Sequence, residues 1–324
     1  MYVIKNRWYA ILSSRELGAK RPLARRRFGL ELVLWRDASG RVAVARDSCP
    51  HRRAKLSPGR VRDGCIECPF HGFRYDAEGT CRAIPAHPDR PIPKAMTLDM
   101  IPAREAHDLV WVWTGPDPAP DEPIPFFDLD GYTYAGSECV VPVRTHYTRA
   151  IENQLDFAHL PFVHRTTIGV FAPTELVVAT GVDGDRLTVG LEGQEPIIEF
   201  LGPNIWRNKT GAVWQFLAFV PIDDERMIYY VRSYQRFARV PGFSWLVGRV
   251  NRALNSVIIG QDTLVVETQP AVETRLRELD ELLVQSDGPI IAYRRWRERH
   301  RGELAVDASS PLAVIQRDRE RASA

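Results

Sequence analysis

Hydrophobic residues in the first third of the chain fall in short runs of strand length. Leu30-Glu31-Leu32-Val33-Leu34-Trp35 and Leu109-Val110-Trp111-Val112-Trp113 are rich in β-branched and aromatic side chains, and Asp37-Ala38-Ser39-Gly40 supplies turn chemistry before Val42-Ala43-Val44. The pattern breaks at residues 114–128 (TGPDPAPDEPIPFFD), whose five prolines mark a linker between one domain over 1–113 and a second over 129–324. In the second domain, residues 144–160 read as helical and Gly181-Val182-Asp183-Gly184-Asp185 as the turn of a hairpin. Long strands are predicted over 212–220 and 226–237. A helix over roughly 244–268 has Leu246, Val250, Leu254, Val257 and Ile258 as its apolar positions. Strands and helices come in blocks rather than in strict alternation, which is an α+β arrangement.

Composition narrows the class without naming a function. The chain has 324 residues, too many for one typical domain, and is 44% hydrophobic and 26% charged, as ordinary globular proteins are. A net charge of +2 argues against a dedicated nucleic-acid binder, and the basic runs Arg25–Arg27 and Arg294–Arg297 read as solvated faces. The opening MYVIKNRWYAILSS lacks the apolar core of a signal peptide, and no stretch approaches the ~20 apolar residues of a membrane span. A cytoplasmic protein with reduced thiols is therefore expected. Of the five cysteines, Cys49, Cys65 and Cys68 lie within 20 residues of one another beside His51 and His71, which suits metal binding better than disulfides.

The first constellation, CPHRRAKLSPGRVRDGCIECPFH, contains Cys49-x-His51 and then Cys68-x-x-His71. Two short clips, each offering a thiolate and an imidazole, match a Rieske [2Fe-2S] centre, in which two cysteines hold one iron and two histidines the other. Neutral imidazoles make such a cluster less negative and raise its potential to about −150 to +300 mV. The alternative is a structural zinc site on Cys65, Cys68 and His71 with Cys49 or His51. Cysteine precedes histidine in both clips, which favours the cluster. Cys65, Cys81 and Cys139 read as ordinary buried thiols.

The second constellation is ENQLDFAHLPFVH, residues 152–164. On a continuous helix Asp156 and His159 share a face, while His159 and His164 stand about 140° apart. Pro161 is expected to end or kink the helix and bring His164 back. Two histidines with one carboxylate form the facial triad of non-haem iron(II), with open positions left for oxygen. Asp223, Asp224, Glu225 and Asp262 are the candidates for the carboxylate. No G-x-G-x-x-G opens a βαβ unit, so nicotinamide or flavin chemistry is expected from a separate protein, for which Arg25–Arg27 is a candidate docking patch.

CPHR followed by CPFHGFRYD resembles the cluster signature of the Rieske non-haem iron oxygenases. Asn153, Asp156, His159 and His164 resemble that family's mononuclear-iron motif, and Asp262 with Glu267 in GQDTLVVETQP its Asp-x-x-x-x-Glu ending. The resemblance implies Cys49, His51, Cys68 and His71 as cluster ligands and His159, His164 and Asp262 as ligands of Fe(II). It makes Asp156 an electron bridge to His71 of a neighbouring subunit rather than a ligand. It also implies an all-β Rieske domain followed by a helix-grip domain, in which an antiparallel sheet wraps a long helix. SDGPIIAYRRW looks like the close of the shorter terminal-oxygenase (alpha) subunits. These are homotrimers of the demethylase and monooxygenase type, use O2, and receive NAD(P)H-derived electrons from a reductase or ferredoxin. The expected reaction is hydroxylation or O- or N-demethylation of a small aromatic or polycyclic substrate. Cis-dihydroxylation and simple electron carriage are the competing expectations. Trp206, Trp214, Phe216, Phe219 and Tyr230 are candidates for the pocket wall.

Overall fold

The computed structural model describes residues 1–300 except 2, 116–117, 135, 239 and 278–279. The chain divides into two compact units between Ile124 and Pro125, within the proline-rich segment. The first unit contains β1 (Trp8–Ser13), β2 (Leu23–Arg27), β3 (Leu30–Arg36), β4 (Val42–Arg46), β5 (Arg60–Arg62), β6 (Cys65–Glu67), β7 (Arg74–Tyr75), β8 (Cys81–Ala83), β9 (Met100–Ile101), β10 (Ala103–Ala106) and β11 (Leu109–Trp113). They form three antiparallel sheets in the orders β1-β11-β10, β2-β3-β4-β9 and β5-β6-β7-β8. The β3–β4 turn closes because Asp37 Oδ1 accepts the Ser39 and Arg41 amides at 2.8 and 2.9 Å, and Gly40 supplies a φ of +85°. Val33, Trp35, Ala45, Leu56, Ile66 and Tyr75 build a core that also encloses Cys49 and Cys68.

The second unit contains β12 (Thr133–Tyr134), β13 (Cys139–Val143), α1 (Tyr147–Leu155), α2 (Leu160–Val163), β14 (Val178–Asp183), β15 (Arg186–Leu191), β16 (Ile198–Leu201), β17 (Ile205–Thr210), β18 (Val213–Pro221), β19 (Met227–Gln235), α3 (Pro241–Val266) and α4 (Gly288–Arg299). One antiparallel sheet runs β12-β19-β18-β17-β16-β15-β14, with β13 also pairing β19. The long helix α3 packs on it, as do α1 and α4, in an α+β fold.

Several sequence expectations need correction. The helix over 144–160 stops at Leu155: Asp156 is extended (φ −79°, ψ 123°) and its Oδ1 accepts the Ala158 amide at 2.7 Å, so Asp156 and His159 share no helical face. Pro161 does not break a helix. It lies in the first turn of α2, where its missing N–H costs nothing. On α3, Leu246, Val250, Leu254 and Val257 are exposed, and the buried face is Asn255, Ile258, Ile259, Asp262 and Val266. The basic runs are not solvated faces throughout. Arg27 is buried and donates to Ile11 O at 2.8 Å, because every second residue of β2 faces inward, which removes it from any docking patch. Arg294 and Arg297, three apart on α4, are both buried, on Glu152 with Glu281 and on Glu273. All five cysteines are free, and Cys65 is only partly buried.

Candidate metal centres

In the first unit, two loops repeat one backbone pattern. Cys49 donates its amide to Ala54 O at 2.8 Å and accepts from Arg53 N at 2.9 Å. Cys68 donates to Phe73 O at 2.8 Å and accepts from Gly72 N at 3.0 Å. Each loop closes through a residue in the left-handed region, Arg53 at φ 58° and Gly72 at φ 71°, a conformation that glycine adopts without strain. Asp47 secures the first loop by accepting the Leu56 and Ser57 amides at 2.7 and 2.8 Å. In both loops the cysteine therefore sits at the rooted end and the histidine near the tip.

The burial follows from that. Cys49 and Cys68 are buried, whereas His51 and His71 are exposed with ring centroids 4.8 Å apart. Phe73 stacks on His51 at 4.7 Å, which fixes that ring. Burial pushes the Cys68 thiol up, while the Phe70 and His71 amides hydrogen-bond its sulfur and partly offset this. The Tyr75 hydroxyl lies 3.3 Å from Cys49 Sγ. Buried sulfurs met by N–H and O–H donors, opposite two facing imidazoles, are what a [2Fe-2S] group with two histidine ligands needs.

In the second unit, His159 and His164 at the two ends of α2 meet Asp262 of α3, with their nitrogen and oxygen atoms within 4.8 Å of one another. Asp262 Oδ1 is 3.4 Å from His159 Nε2 and 3.1 Å from His164 Nε2. Asp262 and His164 are each 1% exposed. The alternative carboxylates Asp223, Asp224 and Glu225 lie in the β18–β19 turn, away from this group, where Asp223 pairs with Arg226. Both ring nitrogens of His159 are buried without a hydrogen bond. Its Nε2 meets only the 3.4 Å contact to Asp262 and its Nδ1 only the 3.6 Å contact to Asp156, and two histidines and a carboxylate converging in this way fit a divalent iron.

Electrostatics in the metal-free chain support the same view. Burial disfavours charge on His159, but Asp156 and Asp262 outweigh it and raise the imidazole to about 9. Burial likewise opposes charge on Asp262, yet the two histidines hold it well below the usual carboxylate range. The group is thus set to keep positive charge beside its carboxylate.

Two neighbours, Gln154 and Gln261, escaped the sequence reading. Gln261 Oε1 lies 2.9 Å from His164 Nδ1 and accepts the Thr167 hydroxyl at 2.7 Å, while its Nε2 donates to Thr166 at 3.0 Å. An amide oxygen can only accept, so Nδ1 carries a proton and Nε2 is the nitrogen left to face a metal. Asn153 and Gln154 each donate to Asp262 at 2.9 Å. Asn153 was already singled out by its motif; Gln154 and Gln261 could have been noticed only as amides adjacent to motif residues. Glu267 is not at the centre: its Oε1 accepts the Arg144 amide at 2.8 Å.

A narrow cavity of about 40 Å³ adjoins His159, His164 and Asp262. Trp206 lines it, but Trp214, Phe216 and Tyr230 do not. Strand parity is the reason: Trp206 and Leu217 pair across β17 and β18 on the cavity side, which turns Trp214 and Phe216 to the other face. There Trp214 stacks on Tyr132 and Phe216 packs on Phe126 and Phe127.

Residues 7–99 match the family model of the Rieske [2Fe-2S] domain, and segments within 143–302 match the C-terminal domain of vanillate O-demethylase oxygenase. The oxygenase component of dicamba O-demethylase from Stenotrophomonas maltophilia is 32% identical over 240 residues, 68% of this chain and 69% of that one. The chain belongs to the Rieske oxygenases. Among relatives of this Rieske oxygenase, aminopyrrolnitrin oxygenase of Pseudomonas fluorescens is 36% identical over 172 residues, 51% of this chain and 47% of that protein. The chain spans about half the length of several curated relatives. A crystal structure of dicamba monooxygenase bound to dicamba superimposes with a TM-score of 0.75 at 22% identity, covering 94% of this chain and all of that one, which establishes the shared fold. No helix among the described residues is long and apolar enough to cross a membrane.

Proposed function

We propose that the chain is the terminal oxygenase component of a multicomponent system. It takes O2 and single electrons from a separate reductase or ferredoxin, and hydroxylates a small organic substrate or removes a methyl group from its oxygen or nitrogen. The observation that carries this reading is the convergence of His159, His164 and Asp262 beside a cavity, with both histidine Nε2 atoms turned to the Asp262 carboxylate. An electron carrier has no use for such a group.

A ferrous ion on His159, His164 and Asp262 supplies oxygen activation, and a [2Fe-2S] group on Cys49, His51, Cys68 and His71 supplies electrons one at a time. The chain's own residues do the rest. Gln261 holds His164 in the ligating tautomer, Asn153 and Gln154 hold the Asp262 carboxylate, and the apolar wall around Trp206 excludes water. Asp156, 3.6 Å from His159 Nδ1, is the proposed link to His71 of a neighbouring copy in a homotrimer.

The test is oxygen uptake with a surrogate reductase across a panel of small aromatic and polycyclic compounds, with products read by mass spectrometry. Gain of one oxygen or loss of a methyl group is expected. In His159→Ala the visible spectrum of the cluster is expected to persist while turnover stops. In Asp156→Asn both metals are expected to stay while substrate oxidation ceases. Product formation by His159→Ala contradicts the triad, and normal single-turnover electron transfer in Asp156→Asn contradicts the bridge.

A further inference from the structure

We infer that the cavity beside His159, His164 and Asp262 selects an uncharged, hydrogen-bonding substrate and discriminates against carboxylates and sulfonates. The inference rests on the oxygenase reading above. Among the described residues lining the cavity there is no lysine or arginine, and the charged or titratable ones belong to the His159–His164–Asp262 group or to Asp156 beside it. The remaining polar wall is made of amides, chiefly Asn208, Gln215 and Asn255. Asn255 is 2% exposed and joins Gln215 at 3.0 Å and the Ser233 hydroxyl at 2.9 Å. It lies seven residues before Asp262 on α3, about 10 Å along the helix axis, which is the length of a substituted aromatic ring.

The same strands do carry cations, but parity turns them away. In β17 (Ile205–Thr210) Trp206 and Asn208 line the cavity, whereas Arg207 and Lys209 lie over Trp214 on the opposite face. Arg207 also pairs with Glu199 at 2.6 Å, and Arg232 of β19 with Glu138 at 2.6 Å. An anion seated at the amides would exchange water for a buried, apolar-walled site without a lysine or arginine, beside a ferrous ion whose charge Asp262 and Asp156 already match, which is unfavourable. A neutral amide, hydroxyl or ring nitrogen finds partners in Asn255 and Gln215, and the apolar wall must part beyond the cavity's about 40 Å³ to take the ring.

The test is equilibrium binding to the iron-loaded protein by calorimetry, without turnover, using pairs that differ only in charge. 4-Methoxybenzamide is set against 4-methoxybenzoate, and toluene-4-sulfonamide against toluene-4-sulfonate. The neutral member of each pair is expected to bind at least about tenfold more tightly. Gln215→Lys is expected to reverse the preference by placing a cation in the wall. Equal or tighter binding of the anions, no binding of either neutral compound, or an unchanged preference in Gln215→Lys overturns the inference. Iron content and the visible spectrum are measured on the same samples. Loss of mononuclear iron would instead point to failure of the oxygenase reading.

Discussion

Replacing Gln261 by leucine tests whether the chain holds His164 ready to ligate. The Gln261 oxygen lies 2.9 Å from His164 Nδ1, and His164 is buried. Leucine is close in volume and an equally good helix former, so α3 is expected to survive the change. The variant leaves a buried N–H without an acceptor, at a cost of about 1–3 kcal/mol, or lets the imidazole switch tautomer and present N–H to Asp262. Either outcome weakens metal binding by about 10- to 100-fold, or about 1.4–2.8 kcal/mol. The assay is anaerobic titration of the metal-stripped mononuclear site with ferrous ion against a competing chelator, with the cluster spectrum as an internal control. Gln261→Glu keeps an acceptor and is expected to restore affinity. A leucine variant that binds iron within about twofold of the parent would refute the role given to Gln261.

Other predictions follow from the same geometry. Tyr75→Phe removes the hydroxyl 3.3 Å from Cys49 Sγ. Losing about 1 kcal/mol of preference for the reduced, more negative cluster lowers its potential by about 40 mV, read by redox titration; an unchanged potential refutes this. Glu152 accepts two 2.8 Å bonds from Arg294 with both side chains buried, so Glu152→Ala is expected to cost about 3 kcal/mol and lower Tm by about 6–12 °C in calorimetry. Arg294 keeps Glu281 as a partner at 2.7 Å, which limits the loss. In the metal-free protein His159 is raised from an ordinary 6.5 to about 9. Its stabilisation is fully present below about pH 6.5 and is lost as pH rises through about 9; His159→Gln should flatten that slope in denaturant titrations across the range. Iron binding requires the neutral imidazole, so uptake at pH 7 should release a proton, detectable with a pH indicator in weak buffer.

How much of this was legible in the sequence depended on range. Cys49-x-His51, Cys68-x-x-His71 and the Asp156–His164 run are short spacings of uncommon side chains, so they stood out. The mode of delivery did not. Asp156 leaves the helix because its own carboxylate captures the Ala158 amide, a choice that spacing alone does not reveal. Facing was hidden in the sheet because nearly every residue of β18 is buried, so the period-two contrast between inward and outward aromatics vanishes. On α3 the reverse happened. Leu254 and Val257 look like core positions but are exposed, while Asn255 and Asp262 take the inner face for the sake of the cavity. Gln154 and Gln261 carry no motif at all; only their approach to Asp262 and His164 marks them.

Iron, zinc and acid-labile sulfide determined per chain, together with the visible spectrum, test the central claim most directly. Two centres on one chain predict about three irons and about two sulfides. Asp262→Ala should then fall to about two irons with the cluster spectrum unchanged. A chain holding zinc with no labile sulfide, or an Asp262→Ala variant that keeps all its iron, would contradict the account.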